Sequence, residues 1–194
     1  MKKIQDHYFK EARKQGYVAR SAFKLEEMDR KFRLLRRGHH VIDLGCAPGS
    51  WLQYAAKKVL PEGSLTGVDL KQVKIQFPES VRIFQSDISM LEESILASSR
   101  FDLVLSDMAP DTTGIPSVDS QRSYDLNSQA LSFAQRHLKP GGTLVLKAFQ
   151  GEPLNRLKSE IRLCFESLKL FKPKSSRSES VEIFVLGFGL LPQS

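Results

Sequence analysis

Two cysteines, Cys46 and Cys164, are all that a chain of 194 residues contains. That is too few for a disulfide framework or a thiolate zinc centre, and both are expected to be reduced thiols. No apolar run approaches the ~18–20 residues that a membrane-crossing helix needs, so no membrane partner is expected. The first residues, Met1-Lys2-Lys3-Ile4-Gln5-Asp6-His7-Tyr8, hold no stretch of the signal-peptide kind and carry an acid early. The expected location is therefore the cytoplasm. Histidine is scarce too: His7 sits in the N-terminal tail, and His39, His40 and His137 fall at strand and helix ends. None is placed for nucleophilic work, and no metal site is expected. Internal repeats and low-complexity tracts are missing as well. What remains, 41% hydrophobic and 26% charged, is ordinary for one globular domain.

Charge is present but unevenly placed. The formal net charge is +7, and residues 1–40 alone hold 12 Lys/Arg against 5 Asp/Glu. The remainder of the chain is neutral. A basic segment appended to a neutral ligand-binding region points to a polyanion bound beside a pocket. Residues 1–38 are thus read as a basic helical extension within the same domain, and 39–190 as the domain proper.

The organising stretch is His40-Val41-Ile42-Asp43-Leu44-Gly45-Cys46-Ala47-Pro48-Gly49-Ser50-Trp51. An apolar strand runs into a glycine turn, and a helix follows. Open α/β sheets build nucleotide pockets this way, at the carboxyl end of the first strand. The glycines allow a tight turn and a close approach to a ligand. The spacing is not that of the dinucleotide fingerprint, and Pro48 stiffens the loop. A smaller adenosine-containing ligand is expected rather than a pyrophosphate.

Residues 5–16 read as a short polar helix. A second spans 21–35, with Ala22, Leu25, Met28, Phe32 and Leu35 at spacings of three and four. Lys24 lies at the edge of that stripe, able to point toward a site. The first strand is expected at 39–44 and the next helix at 50–59. A second strand, Ser64–Leu70, carries Asp69 at its end, where α/β nucleotide folds present an acid to ribose hydroxyls. A third, 81–84, leads to Asp87, which can accept from an adenine amino group. A helix around 90–98 precedes an alternating apolar strand that starts at Phe101 and ends on Asp107. The breaker-rich loop Asp111–Pro116 is long enough for a lid. A helix over 120–137 leads to a strand at 143–149 that carries Lys147 near its carboxyl end. Such strands are buried on both faces, and an unpaired ammonium there is costly. After a helix at 153–166, strands at 167–172 and 181–188 are joined by a short basic loop and should pair antiparallel.

Lys24, Asp107, Lys147 and Glu182 stand out together. Asp107 and Lys147 end neighbouring strands on the ligand side, and Lys24 and Glu182 flank them. Two ammonium groups and two carboxylates compensate one another, which makes burial tolerable. A like-charged neighbour and partial desolvation can lower a lysine's pKa toward a usable base.

Asp43-Leu44-Gly45-Cys46-Ala47-Pro48-Gly49-Ser50-Trp51, Ser106-Asp107-Met108-Ala109-Pro110 and Val145-Leu146-Lys147-Ala148-Phe149-Gln150-Gly151 together resemble the FtsJ family, the bacterial large-subunit ribosomal RNA 2'-O-ribose methyltransferases. Arg20-Ser21-Ala22-Phe23-Lys24-Leu25, and Ser175-Ser176-Arg177 before Glu182, match as well. The likeness covers nearly the whole chain. It implies an α/β, Rossmann-like S-adenosylmethionine-dependent methyltransferase fold, a seven-stranded mostly parallel sheet with an antiparallel last strand. It implies S-adenosylmethionine as cofactor, held by Gly49, Trp51, Asp69, Asp87 and Asp107. It places a catalytic Lys-Asp-Lys-Glu tetrad on Lys24, Asp107, Lys147 and Glu182, with Lys147 as the base. The implied substrate is a uridine of 23S ribosomal RNA in the large ribosomal subunit, contacted by the N-terminal basic helices and the loop 172–177, and the expected state is a monomer. A tRNA anticodon-loop nucleotide is the alternative acceptor. Two departures stand out: Ser50 replaces the family's common glycine, and Asp111 its common asparagine.

Overall fold

Alternating short apolar runs and helical segments give a seven-stranded sheet in the order β3-β2-β1-β4-β5-β7-β6. Its strands are β1 (His40–Leu44), β2 (Ser64–Asp69), β3 (Val81–Gln85), β4 (Phe101–Ser106), β5 (Leu138–Phe149), β6 (Phe165–Phe171) and β7 (Glu182–Leu190). The first five pair parallel, and β7 runs antiparallel to both β5 and β6. The computed structural model describes residues 2–91, 100–177 and 179–192. Among these, no helix is long and apolar enough to cross a membrane.

Both faces of the sheet are covered, as a largely parallel sheet requires. Helices α1 (Lys2–Lys14), α2 (Ala22–Phe32) and α3 (Ser50–Val59) cover one face, over Val41, Leu103, Leu105, Val145, Phe184 and Leu186. Helices α4 (Pro116–His137) and α5 (Pro153–Cys164) cover the other, against Ile42, Leu44, Val104, Leu144, Leu146 and Val185. Odd-numbered residues of β1, β4 and β5 thus face α2 and α3, an alternation that governs the site.

Helix α2 stops earlier than its apolar stripe suggests. Arg33 adopts a left-handed backbone (φ 55°) and ends the helix. Leu35 is still buried, because the Asp29 carboxylate accepts from Leu35 N at 2.9 Å and from the Tyr54 hydroxyl at 2.9 Å. Helix α4 begins four residues before the expected Ser120, since Pro116 suits a first helical turn. Strand β5 begins at Leu138 rather than 143, its Pro140-Gly141-Gly142 accommodated by a register shift against β4. Only a single 3-10 turn, Ile88–Met90, precedes the helix expected around 90–98, most of which lies outside the described residues.

Candidate active site

Side-chain alternation sets the site. Lys147 lies opposite Phe184, and Phe149 opposite Glu182, so Lys147 and Glu182 share the face that α2 covers. The register Ser106↔Leu146 brings Asp107 beside Lys147. The Lys147 ammonium is 2.9 Å from Asp107 Oδ1 and also donates to the Asp107 carbonyl. From α2, Lys24 Nζ reaches Glu182 Oε1 at 2.7 Å, 5.8 Å from the centroid of the Phe184 ring. The four residues are therefore two ion pairs, one from adjacent strand ends and one bridging a helix to the sheet. Burial pushes the Glu182 carboxyl up, but the Lys24 charge and hydrogen bond, helped by the Lys147 charge, hold it below the usual range. Arg20 is close enough to feel both Arg177 and Glu182. The loop bearing Arg177 is tied to α2 by Glu27, which accepts from Lys174 N at 2.7 Å and Ser175 N at 2.8 Å.

A cleft of about 630 Å³ opens at the carboxyl ends of β1, β2, β3 and β4. Gly45 makes it possible: its φ is 78°, and a Cβ there would stand 2.6 Å from Met108 Cγ. Asp69 braces the glycine loop, accepting from Ala47 N at 2.8 Å and from Lys71 N at 2.8 Å. Asp87 accepts from the Ser89 amide at 2.8 Å and hydroxyl at 2.6 Å, and these bonds hold its carboxyl below the usual range. A carboxylate offers about four acceptor sites, so both acids keep capacity for ligand donors. Leu70, Ile88 and Met108 supply apolar walls between them. Acceptors for a ribose and for a purine amino group, with apolar faces between, fit the adenosine end of S-adenosylmethionine. Asp107 closes the cleft at the Lys147 side. Among the described residues no His/Cys/Asp/Glu group could hold a metal ion.

The family model for FtsJ-like methyltransferases matches residues 17–190, from the turn before α2 to the last residue of β7. The chain belongs to the FtsJ-like methyltransferase family. The ribosomal RNA large subunit methyltransferase E of Oleidesulfovibrio alaskensis is 43% identical over 193 residues, 97% of this chain and 93% of that protein. The protein of the same name from Syntrophobacter fumaroxidans is 44% identical over 190 residues, 96% of each chain. A solved structure described as a ribosomal RNA methyltransferase from Plasmodium falciparum superposes with a TM-score of 0.81 at 27% identity, covering 91% of this chain and 100% of that one.

Not every residue expected to hold the cofactor of this FtsJ-like methyltransferase lines the cleft. The Trp51 side chain is turned into the core: its indole N–H donates to Ser21 O at 2.8 Å and its ring lies 5.8 Å from that of Phe184. Gly49 lies outside the cleft wall, at the start of α3, with φ 108° and with Val73 and Ile75 packed where a Cβ would project. Ser50, at the departure from the family's glycine, shares a 2.7 Å hydroxyl contact with Ser21. Together Ser50 and Trp51 lock the segment before α2 onto the glycine loop.

The loop after Asp107 is pinned rather than loose. Asp119 accepts from Thr113 N at 2.7 Å, Thr113 Oγ1 at 2.8 Å and Gly114 N at 3.1 Å, and Arg122 donates to the Asp111 carbonyl at 3.2 Å. An acid in the first turn of a helix preceded by Thr-Gly was the signal for this.

Asp43 had no assigned role from sequence, yet it lies closest beneath the site. It faces the same side as Asp107, level with Leu105, and is 1% exposed with neither carboxylate oxygen hydrogen-bonded. Burial first, and then the charges of Asp107 and Asp69, push its carboxyl well above the usual range, with Lys147 opposing.

Proposed function

We propose that this chain catalyses S-adenosylmethionine-dependent 2'-O-methylation of a ribose, a uridine in the 23S ribosomal RNA of the large subunit. The observation that carries this reading is the pairing of Lys147 with Asp107, which lines an acid-rich cleft, together with the nearby pair of Lys24 and Glu182. The names of the relatives supply the substrate class. When bound, S-adenosylmethionine supplies a methyl group on a positively charged sulfur. Asp69 would hold its ribose and Asp87 its adenine, in a cleft whose wall Gly45 lets approach Met108 where a Cβ would clash.

A ribose 2'-hydroxyl is a weak nucleophile until its proton leaves. Only as the neutral amine does Lys147 accept that proton at Nζ, becoming the ammonium, and Asp107 aims the Nζ through its carboxylate and its carbonyl. General base catalysis of this kind contributes ~10²–10⁴-fold. Lys24 and Glu182 fix the acceptor ribose from the other side. Alignment of reacting groups is worth up to about 7–11 kcal/mol in well-oriented systems. Arg20, Lys172, Lys174 and Arg177 offer charge to phosphates flanking the acceptor, and the base is read unstacked.

The test maps 2'-O-methyl positions in ribosomal RNA from cells with and without the chain, and compares transfer from labelled S-adenosylmethionine to 50S subunits and to bulk tRNA. One additional 2'-O-methyluridine in 23S ribosomal RNA is expected. Transfer to tRNA alone, or to a base rather than a ribose, overturns the reading.

A further inference from the structure

The excess positive charge of residues 1–40 does not all reach the cleft. Lys24 and Arg20 lie at Glu182, on the cleft side of the sheet, but Arg33, Arg36 and Arg37 lie at and beyond the left-handed turn that ends α2 and come out at the opposite end. There the starts of β1, β4 and β5 form an open groove of about 240 Å³, walled by Arg33, Arg36, His39 and Lys139 with Gly141 and Gly142 beside them. Asp102, which also lines the groove, and Glu62 beside it already have partners. Glu62 is held by Arg37, and Asp102 accepts from Lys139 Nζ at 2.7 Å and from His40 N at 2.7 Å. Arg33 and Arg36 are exposed and have no ion pair among the described residues. Arg100, one residue before β4, donates to the Arg136 carbonyl at 2.7 Å and extends the cationic edge toward the end of α4.

Burial holds the His39 imidazole below its usual range; Asp102 opposes this, while Arg36 and Lys139 add to it. With Lys139 paired to Asp102 and His39 held toward its neutral form, the uncompensated charge of the groove is that of Arg33 and Arg36. Exposed like charges without compensating acids repel each other, and a polyanion relieves that repulsion. The cations are spread along an open edge rather than gathered in a closed pocket, which suits successive backbone phosphates better than a single small anion.

We propose that this amino edge is a second RNA-backbone site, which grips a part of the substrate distant from the acceptor nucleotide. This rests on the reading that the substrate is RNA. Strand β4, six residues long, separates the groove from the cleft by about 20 Å. One short single strand in the cleft does not fill both sites, whereas a folded RNA that wraps the sheet does. The site therefore selects for large, structured substrates over short ones, and its contacts carry no base identity.

The test titrates the Arg33→Glu/Arg36→Glu chain by fluorescence anisotropy with two probes: protein-free large-subunit ribosomal RNA and a ~10-nucleotide single strand. Affinity for the folded RNA is expected to fall roughly tenfold at ~0.15 M salt, with the salt slope reduced by about 2. Oligonucleotide affinity, S-adenosylmethionine binding by calorimetry and the thermal midpoint are expected to stay at the unaltered chain's values. Arg33→Gln/Arg36→Gln removes the cations without adding acids and serves if charge reversal disturbs folding. Unchanged affinity for folded RNA overturns the proposal, and so does an equal loss on both probes. The titration is repeated with assembled large subunits, where a loss not seen on protein-free RNA overturns the RNA assignment in favour of an acidic protein surface. Failure of the unaltered chain to methylate ribosomal RNA counts against the proposed reaction instead, since these titrations read binding alone.

Discussion

At the strand ends beside the cleft, the rim of the site, Asp107 and Glu182 each lie within 3 Å of an ammonium group, Asp107 with Lys147 at 2.9 Å and Glu182 with Lys24 at 2.7 Å. One step down the strands, level with Leu105 and Val145, the Asp43 carboxyl has no hydrogen-bond partner. What differs is reach, not residue type. At the rim, α2 overhangs the strand ends, so a lysine from a flanking element can arrive. Beneath it the strand neighbours are aliphatic, and the Lys147 charge opposes the shift without supplying a hydrogen bond to Asp43. The outcome is opposite proton affinity on one face of one sheet. Glu182 is held below its ordinary range despite burial, whereas Asp43 is pushed well above its own. Pairing decides whether a buried carboxyl stays charged.

Removing a partner at the rim should therefore cost most where chemistry depends on it. Lys147→Ala is expected to lower kcat by ~10²–10⁴-fold while calorimetry shows S-adenosylmethionine still bound. Turnover near the native rate would remove Lys147 as the base. Next comes Lys24→Met, which leaves Glu182 buried without its cation. Breaking a buried pair costs about 3–5 kcal/mol, and this pair, 12% exposed on each side, belongs at the low end. Lys24→Met/Glu182→Leu should recover much of the denaturation midpoint but not the activity. If the double variant regained both, the pair would be structural alone.

Much of the rim was legible in the sequence because of a physical demand. An ammonium at residue 147, near the end of a strand buried on both faces, requires partners, and the strand-end acids were the available ones. The sheet followed from alternating apolar runs, and its antiparallel end from the short loop between β6 and β7. Trp51 was less legible. An aromatic residue at a helix start can face ligand or core, and only the rotation of α3, fixed by contacts to Ser21 and Phe184, chooses the core. Asp43 drew no role from the sequence, since its depth depends on register with β4 rather than on its neighbours in the chain. The basic segment 1–40 reads as one block of charge, and the turn at Arg33 divides it between two ends of the sheet.

A smaller effect is expected at the cofactor side of the rim. Asp69→Ala removes an acceptor for ribose hydroxyls and also releases Ala47 N from its brace. A charged hydrogen bond is worth about 1.5–3 kcal/mol, so the S-adenosylmethionine Kd should rise by roughly 10–100-fold with little change in kcat at saturation. A fall in kcat with unchanged Kd would move Asp69 from the binding to the reacting groups.

The smallest change concerns Asp43, and it separates the two layers most cleanly. A carboxyl whose folded pKa lies above its unfolded value binds its proton more tightly in the folded state. Stability then declines as pH rises above the unfolded value, about 3.9, and levels off only beyond the folded one. An asparagine side chain cannot ionise, so Asp43→Asn should flatten that decline and leave the variant the more stable form at neutral and alkaline pH. Glu182 has the opposite sign: its folded pKa is lowered, so its contribution is full above the ordinary carboxyl range and is lost as pH falls through the folded value. Glu182→Gln should thus flatten the acid limb of the stability curve, and Asp43→Asn the limb above it. Thermal midpoints measured from pH 3 to pH 9 read both limbs on one plot. If Asp43→Asn followed the native curve throughout, the carboxyl beneath the rim would be as well compensated as those above it, and the contrast between the two layers would not hold.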